Sequence, residues 1–162
     1  MANLAAILAN KGYFYTPHMV RSIKDDQIDP KFRVRHETGI DTAFYTFVTD
    51  AMTDAISGTA PRALIPGMTI CGKTGTAQNP QGEDHSVFMA FAPKENPRIA
   101  IAVYVENAGW GGRAAACIAS LMIEKYVTGE VKRPALEEYV LRNEFGDRPS
   151  RARAAEPVII LE

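Results

Sequence analysis

Directly after Lys73-Thr74 the chain reads Gly75, Thr76, Ala77, Gln78, Asn79, Pro80, Gln81, Gly82, an order of residues that cannot form the interior of a helix. That constraint matters because the stretch "GMTICGKTG", Gly67 to Gly75, satisfies two motifs with unrelated chemistries. Gly67, Gly72, Lys73 and Thr74 fit the phosphate-binding pattern G-x-x-x-x-G-K-[ST], while Lys73, Thr74 and Gly75 fit the K-T-G box of serine acyl-transferases. A phosphate loop needs a buried strand before it and a helix that begins at the Lys-Thr pair, so that backbone N–H groups and the Lys surround the phosphates. Here the upstream segment "TAPRALIP" is broken by two prolines, and no later apolar strand ends in an Asp placed to hold magnesium. The K-T-G box needs the reverse geometry, an extended strand bordering a cleft, and "MTICGKTGTAQ" supplies it.

With a period of two, Lys73 and Gly75 share one face of that strand, and Thr74 and Thr76 share the other. Gly75 leaves room for a ligand backbone to lie against the strand. An acyl-transfer site needs a cation, hydroxyl donors for a substrate carboxylate and a backbone N–H for the oxyanion. All three can come from this one strand. As a bare triplet K-T-G arises by chance in many chains, so its surroundings must arbitrate.

The 162 residues carry Lys+Arg 18 against Asp+Glu 19, a formal net charge of -1. That balance provides no basic face for a phosphate backbone, and nucleic acid is not an expected partner. The one dense basic stretch, Arg148 to Arg153, is interleaved with Pro149, Ser150 and alanine and reads as a solvated tail. Cys71 and Cys117 show no metal-ligand spacing with His18, His36 and His85, so neither a metal nor a cofactor is expected. Both cysteines have apolar neighbours and read as buried free thiols, a Cys71–Cys117 bridge being the alternative. No run approaches the roughly 20 apolar residues of a membrane span, and the residues after Met1 lack the form of a secretory signal. The chain is therefore expected to be soluble, with no targeting segment.

Periodicity then orders the elements. "MANLAAILANKG" puts Leu4, Ile7 and Leu8 on one helical face, with Gly12 as the stop and no capping residue ahead of Met1. "YFYTPHMVRSI" predicts a short strand that Pro17 confines to an edge or a strand start. Ala43, Phe44, Phe47, Val48, Ala51 and Ala55 recur at three and four, which predicts an amphipathic helix ended by Ser57-Gly58. The aromatic set Phe44, Tyr45 and Phe47 reads as core. After the K-T-G strand come a turn, "NPQGED", and two apolar runs, "HSVFMAFAP" and "RIAIAVYVEN", joined by a short link that suits a hairpin. Unbroken apolarity over Ile99 to Val105 predicts a central strand covered by helices on both faces. "GWGGR" launches a further helix with Ile118, Leu121, Met122 and Tyr126 as its stripe, closed by Gly129 and Pro134, and a shorter helix follows around "ALEEYVLRNEF". The expected fold is α+β, a three-stranded antiparallel meander packed between helices.

In that order, "MANLAAILANKGYFYTPHMV", "SGTAPRALIPGMTICGKTGTAQN", "HSVFMAFAPKENPRIAIAVYVEN" and "GWGGRAAACIASLMIEKY" resemble the C-terminal part of the transpeptidase domain of class B penicillin-binding proteins, most closely the penicillin-binding protein 2 type. The resemblance runs from about Met1 to Tyr126 and rests on several spaced motifs. It implies a partial serine β-lactamase/transpeptidase-like domain over residues 1–130, with 131–162 as a short helix and tail. It implies D,D-transpeptidation that crosslinks peptidoglycan, with stem peptides and β-lactams as ligands, in a bacterial protein anchored in the inner membrane with a periplasmic domain. By the same resemblance Lys73 tunes the nucleophile and attracts the substrate carboxylate, Thr74 and Thr76 bind that carboxylate beside Gly75, and the Thr76 N–H is an oxyanion donor. Gln78, His85 and Trp110 are candidates for the cleft rim.

The family's nucleophile lies in S-x-x-K, assisted by S-x-N, and neither motif occurs here. Ser22, Ser57, Ser86, Ser120 and Ser150 are followed three residues on by Asp25, Ala60, Met89, Ile123 and Arg153. The expectation is a piece of a longer enzyme, inactive by itself, whose partner is the N-terminal half of its own domain. A catalytically dead peptide- or partner-binding module is the alternative. The Ile99 to Val105 strand is expected to keep an open edge, through which copies of the chain could associate. His85, His18 and His36 read otherwise as ordinary histidines, Trp110 as the anchor of its turn and Asn107 as a strand-end cap. The last two residues, Leu161-Glu162, read as a possible appended scar.

Overall fold

The structure, a computed structural model, describes residues 1–20, 22–24, 26–142 and 145. The tail features, Arg148 to Arg153 and Leu161-Glu162, lie outside the described residues.

α1 (Ala2–Ala9) opens the chain without a side-chain cap, and Lys11 and Gly12 turn it off through left-handed backbone at φ 55 and 115. Ala5, not Leu4, is its buried residue, because the helix lies close against the sheet and only a small side chain fits there. An excursion of short pieces follows. β1 (Tyr13–Tyr15) pairs antiparallel with β4 (Arg35–Glu37), and between them β2 (Ser22–Ile23) and β3 (Asp26–Gln27) make a two-residue hairpin. The expected strand in "YFYTPHMVRSI" is thus β1, which ends before Pro17.

α2 (Thr42–Thr59) starts at Asp41, whose carboxylate accepts from the Ala43 N–H at 2.8 Å. It runs through Ser57-Gly58 and stops only before Pro61, which cannot continue a helix and restricts Ala60 ahead of it. Its buried face is Tyr45, Thr49, Met52 and Ile56. Phe44, Phe47 and Val48, expected in the core, are exposed; of the aromatic trio only Tyr45 is buried, with its hydroxyl 2.6 Å from Thr38 Oγ1. Large apolar side chains pointed to the wrong face because the true face includes Thr49, whose hydroxyl is satisfied within the helix by the Thr46 carbonyl.

The main sheet is the expected meander, β5 (Cys71–Ala77), β6 (His85–Ala92) and β7 (Ile99–Val105), in that spatial order and antiparallel throughout. Its central strand is β6, which buries six of its eight residues, and β7 is an edge. Helices α1 and α3 (Ala115–Thr128) both pack against β7, the helical cover that its apolar run predicts; only the central placement fails, since among the described strands β6 alone pairs with it. α3 lies over the sheet on Ala115, Ala116, Ala119 and Ile123, which join Phe88, Ala90, Ile101 and Ile56 in the largest core cluster. Met122 and Tyr126, expected in its stripe, are exposed, since the alanines allow a closer approach than a bulky stripe would. Gly129, in the left-handed conformation, caps α3 as expected.

α4 (Pro134–Leu141) is tied back by Arg133 just ahead of it. Arg133 Nε meets Glu124 Oε2 at 3.0 Å, with the two side chains 15% and 3% exposed, and Nη1 donates to the Leu64 carbonyl at 2.9 Å. Cys71 and Cys117 are both free and buried, in separate parts of the core, and burial pushes both thiols up.

Arg133→Ala strands the Glu124 carboxylate in the core and should cost about 3 kcal/mol or more in urea unfolding. Glu124→Gln in that background should return part of the loss; an unaffected midpoint in the single variant would show the pair to be dispensable. Raised thiol pKa values mean little thiolate at pH 8, so a thiol reagent should label neither cysteine in the native chain and both after denaturation.

Candidate active site

β5 carries the candidate residues, and two glycines outside it fix where its backbone lies. A Cβ placed on Gly111 would lie 2.3 Å from both the Gly75 and the Val87 carbonyl oxygens, and one on Gly112 would lie 2.2 Å from the Thr59 carbonyl oxygen. The turn from Gly109 to Arg113 therefore sits in backbone contact with β5, β6 and the end of α2. Ser86 pins the turn from the other side: its buried hydroxyl donates to the Trp110 carbonyl at 2.9 Å and accepts from the Ala115 N–H at 3.0 Å.

Gly75 faces Val87 in the ladder. Two carbonyl oxygens can both come within 2.3 Å of one point only where they converge, as they do in a hydrogen-bonded antiparallel pair. By the alternation of such a ladder, the N–H and C=O groups of Thr74 and Thr76 then turn away from β6, toward the edge of β5 that no described strand covers. Lys73 agrees with that geometry: its Nζ donates to the Thr74 carbonyl at 2.9 Å, so the ammonium rests on the same open edge. The Thr74 hydroxyl donates to Thr59 Oγ1 at 3.3 Å, which links the strand to the last residue of α2.

The faces alternate as the sequence predicts. Lys73 opposes Met89, on the side of Cys71 and Phe91, whereas Thr74 opposes Phe88 on the α3 side. A strand interior is incompatible with the phosphate-loop reading, which requires Lys73-Thr74 at a helix N-terminus.

The other candidates do not converge on this edge. Gln78 is exposed, one residue past the strand. His85 opposes Ala77, four residues along the ladder from Lys73 and about 13 Å away by strand rise. Its Nδ1 accepts from the Asn107 N–H at 3.0 Å and its ring leans on Tyr104, the partners of an ordinary strand-end histidine. Asn107 caps the strand end as expected: at φ 53 its Oδ1 accepts from Asn79 Nδ2 at 2.8 Å. The Trp110 indole, expected to anchor its turn, is 78% exposed; the anchoring falls to its carbonyl and to Gly111. His18 and His36 lie in the excursion, against Phe32 and Phe14. Gly111, Gly112, Ser86 and Thr59 escaped the sequence reading. The doubled glycine after a strand was the available signal.

The sheet thus lies between helices, and its K-T-G strand keeps a polar edge that no described strand covers. The chain belongs to the penicillin-binding protein transpeptidase domain family, whose model matches residues 1–124. It is similar to the peptidoglycan D,D-transpeptidase PbpA of Mycobacterium tuberculosis, 32% identical over an alignment of 143 residues that covers 80% of this chain and 29% of that one. Among solved structures it is similar to penicillin-binding protein A of the same bacterium in a ceftriaxone acyl-enzyme complex, with TM-score 0.67 and 31% identity over 78% of this chain and 31% of that one. It is also similar to Pseudomonas aeruginosa PBP2 in complex with WCK 5153, with TM-score 0.67 and 32% identity over 82% of this chain and 30% of that one. The chain thus spans less than a third of the length of these relatives. Among the described residues no helix is long and apolar enough to cross a membrane.

Gly111→Ala forces backbone apart and should destabilise the chain by roughly 1–3 kcal/mol or more while moving the amide resonances of Thr74 and Thr76. Gly58→Ala, in a helix with nothing within 4 Å of the new methyl, should instead stabilise by about 0.5–1 kcal/mol. Equal melting temperatures for the two variants would contradict the contact at Gly111.

Proposed function

We propose that these residues supply the carboxylate-binding and oxyanion half of a peptidoglycan D,D-transpeptidase, acting on D-Ala-D-Ala stem peptides and reacting with β-lactams, with the nucleophile contributed by sequence beyond this chain. The open edge of β5 carries the reading. There a cation, outward backbone N–H groups and two hydroxyls are held on one strand whose backbone the Gly111 turn clamps.

In this role the Lys73 ammonium draws the substrate's terminal carboxylate and favours the ionised nucleophile. The Thr74 and Thr76 hydroxyls bind the carboxylate, and Gly75 lets the peptide lie flat. The Thr76 N–H, facing outward, stabilises the oxyanion that forms as the serine adds to the carbonyl, an interaction worth about 3 kcal/mol in such sites. Gln78 and Trp110, exposed beyond the strand end, form the rim, and His85 stands apart from it. Residues 1–130 make up the share of the transpeptidase domain and 131–162 an appendage, in a protein anchored in the inner membrane and facing the periplasm. The free edge of β7 receives the next strand of the complete domain. A dimer of the isolated chain, seen by light scattering and broken by a proline in β7, would assign that edge to a second copy.

The absence of S-x-x-K and S-x-N from these residues favours one rival, a module of the same fold that only binds. The test is acylation by a fluorescent penicillin, measured on the continuous polypeptide encoded by the reading frame that contains residues 1–162. The wild type should be labelled, and Lys73→Ala should slow labelling on the order of 10²-fold. A polypeptide with no label but with measurable affinity for a D-Ala-D-Ala peptide would be the binding module.

A further inference from the structure

α2 is apolar on two faces. Tyr45, Met52 and Ile56 turn inward to the sheet, while Phe44, Phe47, Val48 and Ala51, at i, i+3, i+4 and i+7, form a second stripe roughly 120° round the helix. Phe44 is 65% and Phe47 76% exposed, and no described residue covers them. A helix that carries a second apolar stripe beside its buried face is built to be packed from more than one side. The same helix is coupled to the candidate site: Ile56 packs beside Gly72, Thr53 meets Cys71 at 3.4 Å and Thr59 accepts from Thr74.

We infer that the Phe44–Phe47–Val48–Ala51 stripe is the seat of an apolar helix from the part of the domain that carries the nucleophile, an inference that rests on the transpeptidase reading. Two observations select that occupant. The chain accounts for only 29–31% of PbpA and of penicillin-binding protein A, so more than two thirds of such a protein is available to cover the stripe. The stripe also belongs to a helix that bridges the outer surface and the K-T-G strand, so a segment seated there is registered against Thr74 through Thr59. α2 then works as a spacer: its inner face sets β5, and its outer face sets the distance at which the serine-bearing half stands from Lys73.

The experiment compares wild type, Phe44→Asp/Phe47→Asp and the conservative Phe44→Leu/Phe47→Leu, each in the 162-residue chain and in the continuous polypeptide. In the 162-residue chain the Asp pair should leave the melting temperature within about 1 °C, since both side chains are already in water. In the continuous polypeptide it should lower the rate of fluorescent-penicillin acylation at least tenfold and expose α2 to limited proteolysis, with the Leu pair restoring both. Equal acylation in all three overturns the inference and leaves the transpeptidase reading standing. No acylation of the wild type removes that reading and the inference with it. A 162-residue dimer that the Asp pair converts to monomer, with acylation unchanged, assigns the stripe to a second copy and overturns the inference.

Discussion

The contact on which the rest of this structure depends is the backbone of Gly111 against the carbonyls of Gly75 and Val87. The outer edge of β5 has no neighbouring strand among the described residues, so something else has to keep it straight. The glycine turn does this from the α3 side. It leaves the polar edge bare, and Ser86 and Gly112 fix the turn in their own contacts with Trp110, Ala115 and Thr59.

Position is thereby separated from chemistry. Lys73, Thr74 and Thr76 are exposed or half-exposed and carry little of the fold, while the residues that place them are buried or have no side chain at all. Gly111 must be glycine to admit a backbone, whereas a Cβ on Gly75 would meet only the Val87 side chain, at 3.4 Å. The buried Glu124–Arg133 pair and the Leu64 carbonyl it reaches do the same service one layer out, holding the loop that leads into β5.

Much of this was legible from residue order. The strand at Cys71–Ala77, the meander and the glycine stop at Gly129 follow from turn chemistry and period, which are local. The K-T-G residues were singled out because their types state a chemistry, and the structure adds that they lie on one open strand edge. The helix faces were misread for a physical reason: apolar size marks where a side chain could be buried, whereas close helix-on-sheet packing selected Ala115, Ala116 and Ala119 and left Met122 and Tyr126 in water. The apolar run of β7 correctly called for helices over it, but such a run does not say how many strands pair with it, and among the described strands only β6 does. Gly111 could not be weighed from sequence, since its contact partners, Gly75 and Val87, lie 36 and 24 positions away.

The Lys73 ammonium spends its resting time on a carbonyl of its own strand. Under the proposed function, an arriving anion competes with a neutral dipole instead of displacing a fixed countercharge. Such an exchange favours the ion without requiring the strand to move, so the charge can remain in solvent until it is wanted and still be found at the right edge.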